Sequence, residues 1–142
     1  MIAAPVIIDT NVVVSGFVTL EPGAPPAQIL DGMQGGRFPF LLSIDLLAEY
    51  RSVLLRPGIR ERHQLSPRDV DVVLTEIAAN GRVRDVATGL LGRGDGDEHL
   101  RALLEDRPDS FLVTGDEALR KRLPSGRCLA PRPFVESLGK RS

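Results

Sequence analysis

Several residue types that anchor functional sites are nearly missing from this chain. Cys128 is its only cysteine, which excludes an intrachain disulfide framework and a cysteine-based zinc centre, and suits a reducing, cytoplasmic setting. Tryptophan is absent and aromatic residues make up only 4%, too few for a platform on which bases stack. Lys121 and Lys140 are the only lysines, so arginine dominates the eighteen cations. Arginine suits bidentate phosphate contacts, although a compositional bias of the coding sequence explains the excess equally well. No apolar run approaches the roughly 20 residues of a spanning helix. The opening Met1-Ile2-Ala3-Ala4-Pro5 lacks both a positive start and a long apolar stretch, so neither a membrane nor a secretory signal is expected. Eighteen Lys plus Arg against nineteen Asp plus Glu leave a net charge of −1. That excludes a globally basic nucleic-acid binder but leaves room for a local basic rim.

What is present is a repeated grammar. Val6-Ile7-Ile8 reads as a short strand buried on both faces, and it runs directly into Asp9-Thr10-Asn11. Phe111-Leu112-Val113 repeats the pattern and leads through Thr114-Gly115 into Asp116. In an open parallel sheet, ligands collect beyond the carboxyl ends of the strands, so two such strands aim both carboxylates at one crevice.

The rest of the chain alternates strands with helices. Asn11 to Phe17 is ambiguous, helical only despite its β-branched run. Ile29, Leu30 and Met33 mark a helix stopped by Gly35-Gly36, and Phe38 to Leu42 is a strand whose first residues Pro39 weakens. Ser43 caps a helix with the apolar stripe Leu46, Leu47, Tyr50, Val53 and Leu54, ended by Pro57-Gly58. Ile59 to His63 is polar surface. Ser66-Pro67-Arg68-Asp69 opens the most regular helix, carried by Val70, Val73, Leu74 and Ile77. Arg82 to Ala87 is a weaker strand. A Gly-rich acidic loop, Gly92 to Glu98, precedes a helix through Leu100, Leu103 and Leu104. Further helices are expected from Asp116 to Leu123 and from Pro133, with a short strand at Arg127-Cys128-Leu129. The pattern predicts a three-layer α/β/α sandwich with a mainly parallel central sheet, and the 142 residues suit one domain.

Helical phase nominates two further acids. Glu49 lies three positions after Leu46 and four before Val53, on the margin of the buried stripe. Asp97 lies three before Leu100 and seven before Leu104, on their side of the helix; Asp95 is a candidate to support the ligands from behind, and Glu98 points away toward solvent. Each acid has an ordinary reading as a helix cap, a dipole partner or a surface charge. Four carboxylates facing one crevice, however, cannot all stay ionised without cations. Mg²⁺ or Mn²⁺, hard ions that prefer oxygen and keep water, are the economical solution, and such ions serve in-line displacement at phosphorus.

Ile7-Ile8-Asp9-Thr10-Asn11, Leu47-Ala48-Glu49-Tyr50-Arg51-Ser52-Val53-Leu54, Asp95-Gly96-Asp97-Glu98 and Leu112-Val113-Thr114-Gly115-Asp116 resemble the successive motifs of the PIN-domain (PilT N-terminus) nucleases. The likeness extends nearly to the end of the chain and is strongest to the prokaryotic branch associated with toxins. It implies a single PIN-like domain over residues 1–142 that acts as a Mg²⁺- or Mn²⁺-dependent ribonuclease on RNA. It further implies an antitoxin partner and a homodimer. Carried over by position, the family's acidic quartet falls on Asp9, Glu49, Asp97 and Asp116, with Asn11 and Thr114 as supporting polar residues and Asp95 competing for the third place.

Other signals are weaker. Gly92-Arg93-Gly94-Asp95-Gly96 is mis-spaced for a dinucleotide loop. His99 is near the acidic cluster, but a solvent-facing histidine is the favoured reading; His63 carries no chemistry. Arg51, Arg56, Arg60 and Arg62, and the group Arg120, Lys121 and Arg122, either track an RNA backbone or form solvated faces. Two rival functions stand beside the nuclease. A metal-dependent phosphatase of the haloacid dehalogenase type would want an acid where Asn11 stands. A non-catalytic RNA-binding or regulatory acidic-pocket domain would hold RNA intact in Mg²⁺ or Mn²⁺.

Overall fold

The computed structural model describes residues 4–86, 98–123 and 126–139. The chain begins with strand β1 (Val6–Ile8), followed by helices α1 (Thr10–Val18) and α2 (Pro25–Gly35). Strand β2 (Leu41–Leu42) leads into α3 (Ile44–Leu54), α4 (Pro57–His63) and α5 (Pro67–Asn80), then β3 (Arg82–Val83). The second half holds α6 (Glu98–Asp106), β4 (Phe111–Val113), α7 (Glu117–Arg122), β5 (Cys128–Leu129) and α8 (Pro131–Gly139).

All strand pairings among the described residues are parallel. β4 lies between β1 and β5, while β2 pairs with β3. A single parallel bridge, Val6 to Phe40, joins the two groups on the other side of β1. Across the molecule the order is therefore β3, β2, β1, β4, β5. The order reverses at β1, so the crevice between the carboxyl ends of β1 and β4 is the topological switch point.

Side chains alternate between the two faces of a strand, yet Val6, Ile7 and Ile8 are all at most 1% exposed. Both faces of the sheet must then be covered, which makes the expected α/β sandwich. Each fully buried aliphatic side chain contributes about 1.5–3 kcal/mol. Phe38 and Phe134 close the core edge-to-face at 5.1 Å. Gly32 permits this, since a β-carbon there would fall 2.5 Å from the Phe38 ring.

Several boundaries differ from the sequence reading. The β-branched run after Asp9 does form a helix, because Val12 and Val13 are buried and Asp9 caps its first turn. Pro57 starts α4 rather than only ending α3, so Ile59 to His63 is helical; the helix closes on Gln64 at φ 58°. β2 shortens to two residues, with the Pro39 carbonyl accepting from Val6 N at 3.1 Å. The weak strand after Gly81 keeps only exposed Arg82–Val83, and α8 begins at Pro131, two residues early. The acidic loop through Asp97, including Asp95, lies outside the described residues.

Candidate active site

Asp9 is the first residue past β1, and its amide bonds to the Val113 carbonyl of β4 at 3.0 Å. Its Oδ1 accepts from the Thr10 amide at 2.8 Å, capping α1, and its Oδ2 accepts from the Thr114 hydroxyl at 2.7 Å. Thr114, wholly buried just beyond β4, also accepts from the Asp116 amide at 3.1 Å and from Asn11 Nδ2 at 3.4 Å. Asn11 Oδ1 in turn accepts from the Gly115 amide at 3.3 Å. Asn11 and Thr114 thus stitch the two loops together. Asp116 caps α7, its Oδ1 accepting from the Leu119 amide at 3.1 Å.

Glu49 arrives from α3. Its Oε2 accepts from the Thr10 hydroxyl at 2.5 Å and stands 3.3 Å from His99 Nε2. The following residue fixes the helix to the sheet, because the buried Tyr50 hydroxyl donates to the Ile8 carbonyl at 2.5 Å. Glu49 and Asp9 are thereby held against the same strand end.

Asp9, Glu49 and Asp116 line one cleft of about 450 Å³, together with Thr10, Asn11, Ser15 and Arg56 and an apolar wall of Val14, Val53, Leu100 and Leu119. Three of the four acids expected from the sequence therefore meet. Asp97, with its alternative Asp95, lies outside the described residues, although α6 begins at the very next position and docks beside α3.

The electrostatics suit a cation. Burial, reinforced by the charges of Glu49 and Asp116, pushes the Asp9 carboxyl above its ordinary value despite the bonds from Thr114 and Thr10. The bond from His99 holds Glu49 low, with help from Thr10 and Arg56. Burial opposes charge on His99, but Glu49, Asp45 and Asp9 outweigh it and raise the imidazole. The two shifts agree in sign, as an ion pair requires. Among the described residues, no arginine or lysine forms an ion pair with Asp9, Glu49 or Asp116.

Glu49 Oε1 and Asp116 Oδ2 accept no hydrogen bond there, and Asp9 retains unused lone pairs. This all-oxygen donor set fits a hard divalent ion. Among the described residues no three His, Cys, Asp or Glu side chains stand at metal-ligand spacing, so the set converges without being closed.

His99 is the residue the sequence reading misplaced. Its side chain is 14% exposed, and Nδ1 is buried with no hydrogen-bond partner among the described residues. The available signal was its spacing: four residues before Leu103, it shares the flank of the buried stripe of α6. Glu98 also departs from the solvent-facing reading, since its Oε1 is buried and unpartnered. Helical phase gives no account of that.

A family model described as PIN domain matches residues 5–118, a span that includes Asp9, Asn11, Glu49, Asp95, Asp97, Thr114 and Asp116. No curated protein matches the chain.

Proposed function

Since the chain belongs to the PIN-domain family, whose members are generally metal-dependent nucleases, we propose that it is a Mg²⁺- or Mn²⁺-dependent endoribonuclease. The observation that carries the reading is the meeting of Asp9, Glu49 and Asp116 in one cleft where, among the described residues, only His99 pairs with any of them. On this reading Asp9, Glu49, Asp97 and Asp116 hold the ion, within one PIN-like domain over residues 1–142. A bound divalent ion supplies an activated water and Lewis-acid stabilisation of charge at phosphorus.

The chain's own residues do the positioning. Thr114 and the Thr10 amide fix both oxygens of Asp9. Thr10 and His99 hold one oxygen of Glu49 and leave the other available. Asn11 keeps the loop after β4 against the start of α1, so Asp116 stays beside Asp9. No nucleophilic side chain is required.

Incubating the protein with single-stranded RNA in Mg²⁺, in Mn²⁺ and in chelator tests the proposal. Cleavage in metal that disappears in chelator, and with Asp97→Asn, is the expected result. RNA left intact in both metals points to a binding domain, and turnover of phosphomonoesters alone points to a phosphatase. The toxin role, with an antitoxin partner, a homodimer and a cytoplasmic setting, rests on the motif resemblance. Growth arrest on expression, relieved by the product of the adjacent reading frame, tests it. No helix among the described residues is long and apolar enough to cross a membrane.

A further inference from the structure

We propose that Arg56 is the phosphate anchor of the cleft, gripping a backbone phosphate of single-stranded RNA adjacent to the one that is cleaved. The inference rests on the nuclease reading and adds a substrate-positioning residue to it. Arg56 occupies the break between α3 and α4, where it serves as the N-cap of α4, its amide bonded to the Val53 carbonyl at 3.1 Å. It follows Glu49 by seven residues, two helical turns or about 10 Å along the chain axis. The break turns its side chain into the wall of the carboxylate cleft, where it is the single cation among the described lining residues.

What sets Arg56 apart is that it lines the cleft while no described residue takes up its charge by contact. Arg51, Arg84 and Arg107 pair with Asp71, Asp106 and Asp109. Arg120 bonds to the Thr114 carbonyl, and Arg127 bonds to several carbonyls. Arg56 makes no side-chain hydrogen bond or ion pair among the described residues, although Glu49 feels its charge.

Other arginines lacking a side-chain partner, such as Arg82, lie outside the cleft lining. A guanidinium with no contact partner among the described residues, beside carboxylates that call for a divalent ion, fits a polyanion touching both. The phosphate nearest the acids meets the ion, and its neighbour meets Arg56 through the bidentate geometry arginine favours. The apolar side chains of Val14, Val53 and Leu100 line the same cleft and suit contact with a ribose or a base edge.

The test compares the full-length wild type with Arg56→Ala, Arg56→Lys and Arg82→Ala on a single-stranded RNA oligonucleotide across a salt series. Arg56→Ala should raise KM about tenfold with kcat within about twofold, as for loss of uniform binding. Its plot of log(kcat/KM) against log[salt] should be shallower by about 0.7, the share of one phosphate on a single strand. Arg56→Lys should restore the slope and part of KM. Arg82 begins β3, the outer strand beside β2, and does not line the cleft, so Arg82→Ala removes equal charge and should change neither quantity. An Arg56→Ala enzyme with unchanged KM and slope overturns the proposal, as does an equal effect of Arg82→Ala. If the wild type cleaves no RNA, the nuclease reading fails by itself. Fluorescence anisotropy of the labelled oligonucleotide in Ca²⁺ then decides about Arg56, through weakened or unchanged binding by Arg56→Ala.

Discussion

At the entry to β4, Arg127 donates to the Ser110 carbonyl at 2.7 Å, to the Leu104 carbonyl at 2.9 Å and to the Arg107 carbonyl at 3.1 Å. It thus places positive charge on the carbonyl end of α6, where the helix dipole welcomes it. Beyond the exit of the same strand, Asp9 and Asp116 stand in one cleft with Glu49, and burial, with the charges of Glu49 and Asp116, raises the Asp9 carboxyl. One end of the strand spends its charge on the fold. At the other, among the described residues, His99 alone pairs with one of three acids. Charges kept for structure are matched by the protein, whereas charges kept for a ligand are left for the ligand to match.

The comparison breaks most visibly if Asp9 is structural after all. Asp9→Asn keeps the helix cap, since Asn caps as well as Asp. It should cut metal-dependent RNA cleavage by at least about a hundredfold, because loss of outer partners of metal ligands alone reaches that scale. In chelator the same variant should melt no lower than wild type. A variant that melts lower and still cleaves would place Asp9 with Arg127. Conversely, Arg127→Met should cost roughly 2–3 kcal/mol of stability, from carbonyls left without their donor. Denaturant unfolding measures that, and cleavage per folded molecule should be unchanged.

Smaller effects sharpen the contrast. Thr114→Val removes the hydroxyl shared by Asp9, Asp116 and Asn11 while nearly preserving shape. The Mn²⁺ concentration for half-maximal cleavage should rise about tenfold.

The smallest effect is on pH. Asp9 titrates above its ordinary value of 3.8 in the folded chain. Its protonated form therefore contributes stability that is complete below the unfolded value and is lost as pH rises through the folded one. Metal-free wild type should lose stability relative to Asp9→Asn as pH climbs out of the acid range. Parallel melting curves of the two proteins would dissociate Asp9 from that term.

Much of this arrangement was legible because it follows from short-range pattern. The buried triplets at Val6 and Phe111 announced parallel strands, and each ran straight into its acid. The stripe of α3 fixed the side on which Glu49 emerges. What escaped depended on contacts between distant segments. Asn11 to Phe17 became helix because Val12 and Val13 find the core, against their β-branched preference. Pro57 reads as a terminator locally, but a first-turn proline suits α4 equally. His99 looked like a surface residue because nothing nearby in sequence reveals that α3 delivers Glu49 beside it. The basic cluster after Glu49 looked uniform, yet Arg51 is committed to Asp71 and Arg56 alone of that cluster lines the cleft.

Tyr50 is the protein's only tyrosine, and tryptophan is absent. Ultraviolet emission from the intact chain therefore originates in one phenol ring, clamped to the Ile8 oxygen immediately upstream of Asp9 and adjacent in sequence to Glu49. An unlabelled sample titrated with manganese or magnesium carries its own optical gauge of what happens at those two acids.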